Sequence, residues 1–317
     1  MISAHVVFRV YMNSLRLNAR VIMFGAASLD TIAMLSRRSD QENIEPEISI
    51  HQNIGHRTSQ EDRYVSAQIN DGHLLAVLDG HAGRYAADIV AANISSIFKS
   101  TYDAVWNSLM YRDELTPRIE SLILRKSISK LRNMVSAEIS GTTLSLLYAR
   151  PVTPKMDGVR RIRVIASTLG DSPLVIHTGG KYILMPIHSA EHHKGDITKL
   201  MKQERGSFIG GYLYHTMRTG RAMTRSLGNY DMRDSMLRYP DVKAFELSTD
   251  SVIAIGSDGV LSSSEPEQIE LRMQAICHLT RKGLSAGEIV NQICEPHDNI
   301  TLCTMRFCGG IKTDRED

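Results

Sequence analysis

The chain alternates between apolar runs, which indicate buried strands, and amphipathic stretches, which indicate helices. Two of the apolar runs end in an aspartate and a glycine: "HLLAVLDG" at residues 73–80 and "SVIAIGSDG" at residues 251–259. Further strands are predicted at residues 142–149, 161–168, 172–178, 181–186 and 299–307. The short connections in the middle of this series favour antiparallel pairing of neighbouring strands.

Helical periodicity covers four other segments. Apolar residues return every three or four positions over residues 84–99, 117–135, 266–280 and 285–294. Pro117 suits the first turn of the second helix. Because the strands run together and helices stand before and after them, we predict an α+β fold in which sheet packs on sheet and helices cover the sheets.

Residues 188–219 interrupt the regular pattern. A polar, partly helical insertion at 188–205 carries His192 and His193, which we expect on an exposed surface. The glycine-punctuated "GSFIGGYLYHTMRTGRAM" follows it and is typical of a mobile flap rather than of a core segment.

The first residues have a different composition. No acidic residue precedes Asp30, and Arg9, Arg16 and Arg20 fall on one helical face, as in a mitochondrial transit peptide. An extension of unknown use, or translation starting at Met12 or Met23, would give the same pattern. We therefore divide the chain into an N-terminal extension and possible targeting leader (1–47), a folded domain (48–310) and a C-terminal tail (311–317).

Composition excludes several classes of protein. The formal net charge is +2, from 37 basic and 35 acidic residues, so the overall balance does not indicate a nucleic-acid-binding protein. The apolar runs are too short to span a membrane. The four cysteines, all within residues 277–308, lack zinc-site spacing and are expected to be free thiols.

Three aspartates stand at the edges of apolar strands: Asp79, Asp258 and Asp298. Isolated buried carboxylates are costly, and a shared cation would remove that cost. Mg²⁺ and Mn²⁺ prefer oxygen ligands, and Gly80 lets its main-chain carbonyl approach closely. Taken singly, however, "LDGH" and "SDG" are also common turn sequences, and His81 alone could be a structural histidine.

Upstream, "RTSQED" adds Arg57, Glu61 and Asp62. A guanidinium can bind a phosphate with two parallel hydrogen bonds, and the two acids could contribute to the same cation site. By itself the segment could equally be a solvated loop.

Read in order, these segments resemble the metal-dependent protein phosphatases of the type 2C class, the PPM family. The resemblance runs over about residues 50–308, through "NIGHRTSQEDRY", "LLAVLDGHAG", "SGTTLSLLYA", "IASTLGDSPLVI", "GRAMTRSLGN", "IAIGSDGV" and "HDNITLCTMRF". The resemblance implies a sandwich of two antiparallel β-sheets flanked by α-helices in four layers, αββα, with two Mg²⁺ or Mn²⁺ ions at one end.

The resemblance also implies a role for each matching position. Asp79 would bridge the two metals, with the Gly80 carbonyl on one of them and Asp258 and Asp298 on the other. Glu61 and Asp62 would act largely through metal-bound water. Asp171, in "LGDS", matches the aspartate that the family uses for a third, weaker metal.

The implied reaction is attack of a metal-bridging hydroxide on phosphorus. Arg57 would orient the phosphate, and His81 would protonate the departing serine or threonine oxygen. The sequence departs from the family at three places: Val260 to Ser263 follow "SDG" in place of the usual aromatic and acidic residues, Asn229 replaces the usual aspartate of "TRSLGN", and the 188–219 segment is unusual.

The sequence therefore predicts a monomeric serine/threonine protein phosphatase that acts on phosphorylated proteins, in the cytoplasm or alternatively in mitochondria. Two other interpretations stay open. The chain could be a pseudophosphatase that serves as a regulatory scaffold, although Asp79, Asp258 and Asp298 are all present. It could also act on a small phosphorylated metabolite.

Overall fold

The structure, a computed structural model, describes residues 45–109, 115–152, 159–215, 219–261 and 263–307. Most of the possible leader, Ser262, Cys308 and the predicted tail lie outside the described residues. Within the described ranges no helix has both the length and the apolar composition needed to cross a bilayer.

Two five-stranded antiparallel sheets form the centre of the fold. The first consists of β2 (Arg63–Ile69), β3 (Gly72–Leu78), β6 (Leu144–Val152), β7 (Arg161–Leu169) and β14 (Asp241–Leu247), in the order β14-β7-β6-β3-β2. The second consists of β1 (Pro46–Asn53), β8 (Leu174–Thr178), β9 (Lys181–Leu184), β15 (Val252–Gly256) and β16 (Ile300–Phe307), in the order β1-β16-β15-β8-β9.

Five helices lie among the described residues: α1 (Tyr85–Ser108), α2 (Pro117–Met134), α3 (Lys194–Lys202), α4 (Pro266–Arg281) and α5 (Ala286–Ile293). Local sequence sets where they begin. The Thr116 hydroxyl accepts from the Ile119 amide before Pro117, and Ser285 forms a reciprocal capping box with Glu288. Each pair satisfies amides that the first helical turn leaves unpaired.

Side-chain alternation along the strands separates the cores. In β3, Leu74 and Leu78 pack with α1 and α2, whereas Leu75 and Val77 face the second sheet. In β15, Ile253 belongs to this central layer, whereas the neighbouring residues pack beneath α4 and α5. Central strands such as β3 and β15 are therefore buried on both faces, one against the helices and one against the other sheet. Two such sheets between two helical layers make the predicted four-layer αββα sandwich.

The helices lie where the periodicity places them, with one difference in length. The first extends to Ser108, nine residues beyond the predicted Lys99. The strands β1, β2 and β14 were not predicted. All three are edge strands whose residues are largely half-buried, so no continuous apolar run marks them.

Two small sheets complete the fold near the ends of the long strands. β4 (Gly80–His81), β5 (Gly141–Thr142) and β13 (Leu227–Gly228) pair in the order β13-β5-β4. β10 (Ser207–Ile209), β11 (Tyr212–Tyr214) and β12 (Gly220–Arg221) form the second small sheet.

The segment expected as a flap has more structure than its glycines indicate. Its strands and α3 enclose an apolar cluster made of Ala190, Leu200, Leu213, Met223, Met232, Met236 and Leu237. Glycines at 210 and 211 form the tight turn between β10 and β11, both with positive φ. The insertion thus packs together with residues 223–237 to form a small unit beside the sandwich.

Candidate active site

Asp79 lies in the turn between β3 and β4. Its amide donates to the Thr143 hydroxyl at 3.0 Å, and the Thr143 amide donates to the Asp79 carbonyl at 2.9 Å. These two bonds fix the Asp79 backbone against the start of β6. Thr143, which the sequence did not single out, is therefore the residue that holds Asp79 in place.

Asp258 opens a short 3-10 helix, Asp258–Val260, directly after β15. Its amide approaches Asp79 Oδ2 at 3.4 Å, so the ends of the two sheets meet at these carboxylates. Burial, together with the negative charges of Asp258, Asp62 and Asp171, raises the pKa of Asp79 well above its usual range. Burial likewise raises the pKa of Asp258.

Asp62 and Asp171 complete this carboxylate group. Asp62 is only 1% exposed and accepts from the Thr301 hydroxyl at 2.8 Å; burial raises its pKa to about 6. Asp171 is 8% exposed, and its Oδ1 has no hydrogen-bond partner among the described residues. Burial and the charge of Asp258 raise the pKa of Asp171 to about 7.

These four aspartates fit a divalent cation. Charged carboxylates that lie close together repel one another and destabilise the folded protein unless a cation neutralises them. Hard cations such as Mg²⁺ and Mn²⁺ prefer carboxylate oxygens as ligands. The orphaned buried oxygen of Asp171 is an unused acceptor beside the group. The donor set therefore agrees with the predicted metals.

Asp298 pairs with Arg57 at the exposed side of the group. Arg57 Nη2 lies 2.5 Å from Asp298 Oδ2, with side chains 58% and 35% exposed respectively. This hydrogen bond and the charge of Asp298 raise the pKa of Arg57. Because both side chains are partly in water, the pair is weak and exchangeable.

Asn299, which the sequence analysis missed, ties this side of the site together. Its side-chain oxygen accepts from the Glu61 amide at 2.8 Å, and its side-chain nitrogen donates to the carbonyls of Ile54 and Ser59. Glu61 Oε2 in turn accepts from the Gly83 amide at 3.3 Å. The only available sequence signal was the position of Asn299 beside Asp298.

Gly80 has a packing role as well as the predicted carbonyl. A Cβ at this position would lie 2.4 Å from the Glu61 carbonyl oxygen. Glycine therefore lets the segment before β2 approach the segment after β3, which brings Glu61 and Asp62 beside Asp79.

His81 is half-buried and bonds to Asn229, the residue that replaces the family's usual aspartate. Nε2 lies 2.8 Å from Asn229 Oδ1; because an amide oxygen only accepts, Nε2 carries the ring proton. The Ser226 hydroxyl also donates to this oxygen at 2.5 Å. Burial lowers the pKa of His81 to about 4, so the ring is neutral at pH 7.

Asp231, close to Asn229 in the sequence, acts on His81 through its charge, which partly opposes the lowering of the His81 pKa by burial. It lies 3.5 Å from Arg221, on β12, whereas Asn229 itself contacts His81. Asn229 adopts a left-handed backbone conformation, with φ of 51°, which asparagine tolerates better than most residues.

A second group of possible metal ligands lies in the insertion. Ligand atoms of His188, His193 and Asp241 all lie within 4.8 Å of one another. However, His188 Nε2 bonds to Asp241 at 2.8 Å, and Arg225 contacts both Asp241 and Asp196. The group is thus an ion-pair network that joins the insertion to β14. His192 and His193 are half-buried rather than exposed as expected.

A cavity of about 380 Å³ adjoins the carboxylate group. Asp171 and Asp258 line one side, and Glu191, Tyr212 and the Gly210–Gly211 turn line the other. The insertion therefore forms part of the wall of the cavity beside the predicted metal site.

The structure brings the predicted site residues into one place. Asp62, Asp79, Asp171 and Asp258 interact through their charges, and Arg57 interacts with Glu61, Asp258 and Asp298. Gly80 and His81 follow Asp79 directly in β4.

The pKa of Asp171 predicts a pH effect on stability in EDTA. The folded protein binds the Asp171 proton more tightly than the unfolded chain, whose pKa is near 3.8. This contribution is therefore fully present below pH 4 and is lost as the pH rises through about 7. We expect the melting temperature of Asp171→Asn, which mimics the protonated acid, to exceed that of wild type increasingly between pH 5 and 8. A difference independent of pH, measured by calorimetry, would contradict this.

Sequence comparisons identify relatives. Residues 47–296 match the sequence profile of the family described as "Protein phosphatase 2C". "Probable protein phosphatase 2C 11" of Arabidopsis thaliana is 23% identical over 269 residues, which are 80% of this chain and 64% of that protein. "Protein phosphatase 2C homolog 2" of Aspergillus flavus is 20% identical over 252 residues. The aligned region covers 76% of this chain and 51% of the Aspergillus protein. The chain thus spans between half and two thirds of these relatives.

Solved structures share the fold. The serine-threonine phosphatase 2C of Toxoplasma gondii superposes with a TM-score of 0.59 at 17% identity, covering 83% of this chain and 95% of its own. At this identity the likeness establishes the architecture alone.

Proposed function

Because the chain belongs to the protein phosphatase 2C family, we propose that it hydrolyses phosphoserine and phosphothreonine in proteins with the aid of Mg²⁺ or Mn²⁺. The observation that carries the proposal is the meeting of four aspartates at one end of the sandwich: Asp62, Asp79, Asp171 and Asp258. Burial and the negative charges of neighbouring carboxylates raise the pKa of all four. Such perturbed groups beside a cavity are typical of functional sites.

The carboxylates would divide the metal binding. Asp79 would be shared by two ions, with the Gly80 carbonyl on one and Asp258 and Asp298 on the other. Glu61 and Asp62 would act largely through water, and Asp171 would serve a third, weaker position. The chemistry that such ions would supply is a lowered pKa of water, which would make hydroxide available for attack on phosphorus near neutral pH.

Arg57 would bind the phosphate. Its guanidinium is exposed and held at the edge of the carboxylate group by Asp298, where it can offer two parallel hydrogen bonds to phosphate oxygens. This placement offsets negative charge on the phosphate and orients the ester.

His81 is our candidate for the proton donor to the leaving oxygen. It follows Gly80 in β4, and its Nδ1 has no hydrogen-bond partner among the described residues. Only the imidazolium is an effective acid near pH 7, and the lowered pKa of His81 makes that form rare. The efficiency of this step therefore depends on what surrounds the ring, above all on Asn229.

Hydrolysis of p-nitrophenyl phosphate tests the proposal directly. We expect turnover with Mn²⁺ or Mg²⁺, complete loss in EDTA, and recovery when excess metal is returned. Metal should also raise the melting temperature, because ligand that binds only the folded state stabilises it by mass action. Turnover that persists in EDTA would refute the metal mechanism. Metal-induced stabilisation without turnover on the ester or on phosphopeptides would instead support the pseudophosphatase alternative.

A further inference from the structure

A shallow groove of about 270 Å³ lies between residues 199–205 of the insertion and residues 233–239, and no member of the carboxylate group lines it. Four cationic side chains line it, and none of its lining residues is acidic. We call it the arginine groove and define it by Lys199, Arg205, Arg233 and Arg238. The chain as a whole has nearly balanced charge, so this excess of cations is local.

Arg238 is the unusual member. It is half-buried, yet its one hydrogen bond to a described residue runs from Nη2 to the backbone carbonyl of Asn229, at 2.9 Å. No carboxylate contacts it within the part of the chain that the structure describes. A partly buried cation is normally paired, because losing water without gaining a counter-charge is unfavourable. Burial and the nearby charge of Arg132 lower the pKa of Arg238.

The other cations are also held mainly by neutral groups. Lys199 donates to the Tyr239 hydroxyl at 3.1 Å, and Arg205 donates to the Asp234 carbonyl and to the Gln203 side chain. Arg233 stacks on Tyr230. Its 3.5 Å approach to the exposed Asp234 carboxylate is the groove's single ion pair among the described residues.

Neutral contacts fix the positions of these side chains without cancelling their charges. The guanidinium of Arg238 keeps Nε and Nη1 free of hydrogen bonds to described residues. A planar fork with free N–H groups matches the oxygens of a phosphate, and neighbouring cations add attraction for a dianion rather than for a single carboxylate.

We propose that the arginine groove binds a phosphate dianion. The dianion could be inorganic phosphate, the product of the proposed reaction, or a second phosphate on a multiply phosphorylated protein substrate. The latter source rests on the proposed function. The groove is connected to the active site, because the Asn229 carbonyl contacts Arg238 and the Asn229 side chain contacts His81.

The test compares two double variants with the same change in charge. Arg205→Gln with Arg233→Gln alters the groove, whereas Arg118→Gln with Lys126→Gln alters exposed positions on α2. Binding of inorganic phosphate to the EDTA-treated protein is measured by titration calorimetry. We expect the groove variant to bind about tenfold or more weakly than wild type, from the loss of charge-assisted hydrogen bonds, and the control to bind as wild type does. Equal phosphate binding by the two variants would overturn the proposal.

A kinetic comparison identifies the source of the phosphate. If a doubly phosphorylated peptide is turned over with higher kcat/KM than its singly phosphorylated form, and this advantage disappears in the groove variant alone, the ligand is a second substrate phosphate. If the two peptides behave alike while calorimetry still shows the loss, the ligand is inorganic phosphate. p-Nitrophenyl phosphate should be hydrolysed equally by both variants. If the wild-type protein with Mn²⁺ does not hydrolyse p-nitrophenyl phosphate at all, the proposed function is contradicted. The calorimetric comparison would still show whether the arginine groove binds phosphate.

Discussion

Asp79→Asn is expected to lower metal-dependent turnover by more than about 100-fold. Loss of a residue that only hydrogen-bonds to a metal ligand already lowers metal affinity or activity by about 10–100-fold, and Asp79 is proposed as a ligand itself. The same variant is expected to melt at a higher temperature than wild type in EDTA. Its carboxylate lies among those of Asp62, Asp171 and Asp258, whose charges raise its pKa. Asparagine removes one charge but keeps an oxygen that can accept from the Asp258 amide.

Two measurements on one variant make this prediction specific. Each kcal/mol of relieved repulsion should raise the melting temperature by about 2–4 °C for a domain of this size. Asp103→Asn is the matched control, because Asp103 is a partly exposed acid on α1 that pairs with Lys99. This variant should change neither metal-dependent turnover nor the melting temperature in EDTA appreciably. A less stable Asp79→Asn protein in EDTA would show that the metal-free aspartates are not in repulsive contact.

Asn229→Asp is expected to increase turnover on phosphoserine substrates, by improving proton donation from His81. A carboxylate 2.8 Å from Nε2 in place of the amide oxygen favours the imidazolium. A rise of about 2 in the pKa of His81 would increase its protonated fraction at pH 7 about 100-fold. We therefore expect the ratio of turnover on a phosphoserine peptide to turnover on p-nitrophenyl phosphate to rise several-fold, since the aryl leaving group barely needs a proton.

The comparison needs two further proteins. Asn133→Asp makes the same chemical change at an exposed position on α2 and should leave the ratio unaltered. Asn229→Asp combined with His81→Ala should lose the gain, because the donor is absent. An unchanged ratio in Asn229→Asp, with a shifted His81 pKa seen by NMR, would remove His81 from the role of general acid.

Much of the fold could be predicted because its central strands are buried on both faces. β3 and β15 are continuous apolar runs, and the aspartates that follow them, Asp79 and Asp258, lie where the ends of the two sheets meet. A change from apolar strand to Asp-Gly is visible in sequence, so the predicted site could be located before the structure was known. The edge strands β1, β2 and β14 could not be predicted, because their half-buried faces give weaker patterns.

The residues that hold the site in place were harder to find. Thr143 and Asn299 act through hydrogen bonds to backbone groups far away in the sequence, and periodicity carries no trace of such contacts. The bond between His81 and Asn229 spans 148 positions. The sequence analysis identified Asn229 as a departure from the family, but only the tertiary structure shows that it contacts the imidazole.

The small apolar cluster that joins the insertion to residues 223–237 gives these two segments a stability of their own. Because the members of the cluster pack with one another, we expect the two segments to open together as a local cooperative unit while both sheets stay folded. Amide hydrogens of α3 and β11 should then exchange together, and sooner than those of β3 and β15. Sequence changes within this unit would alter the surface beside the carboxylate group without endangering the sandwich, so that surface can vary in sequence while the carboxylate group stays the same.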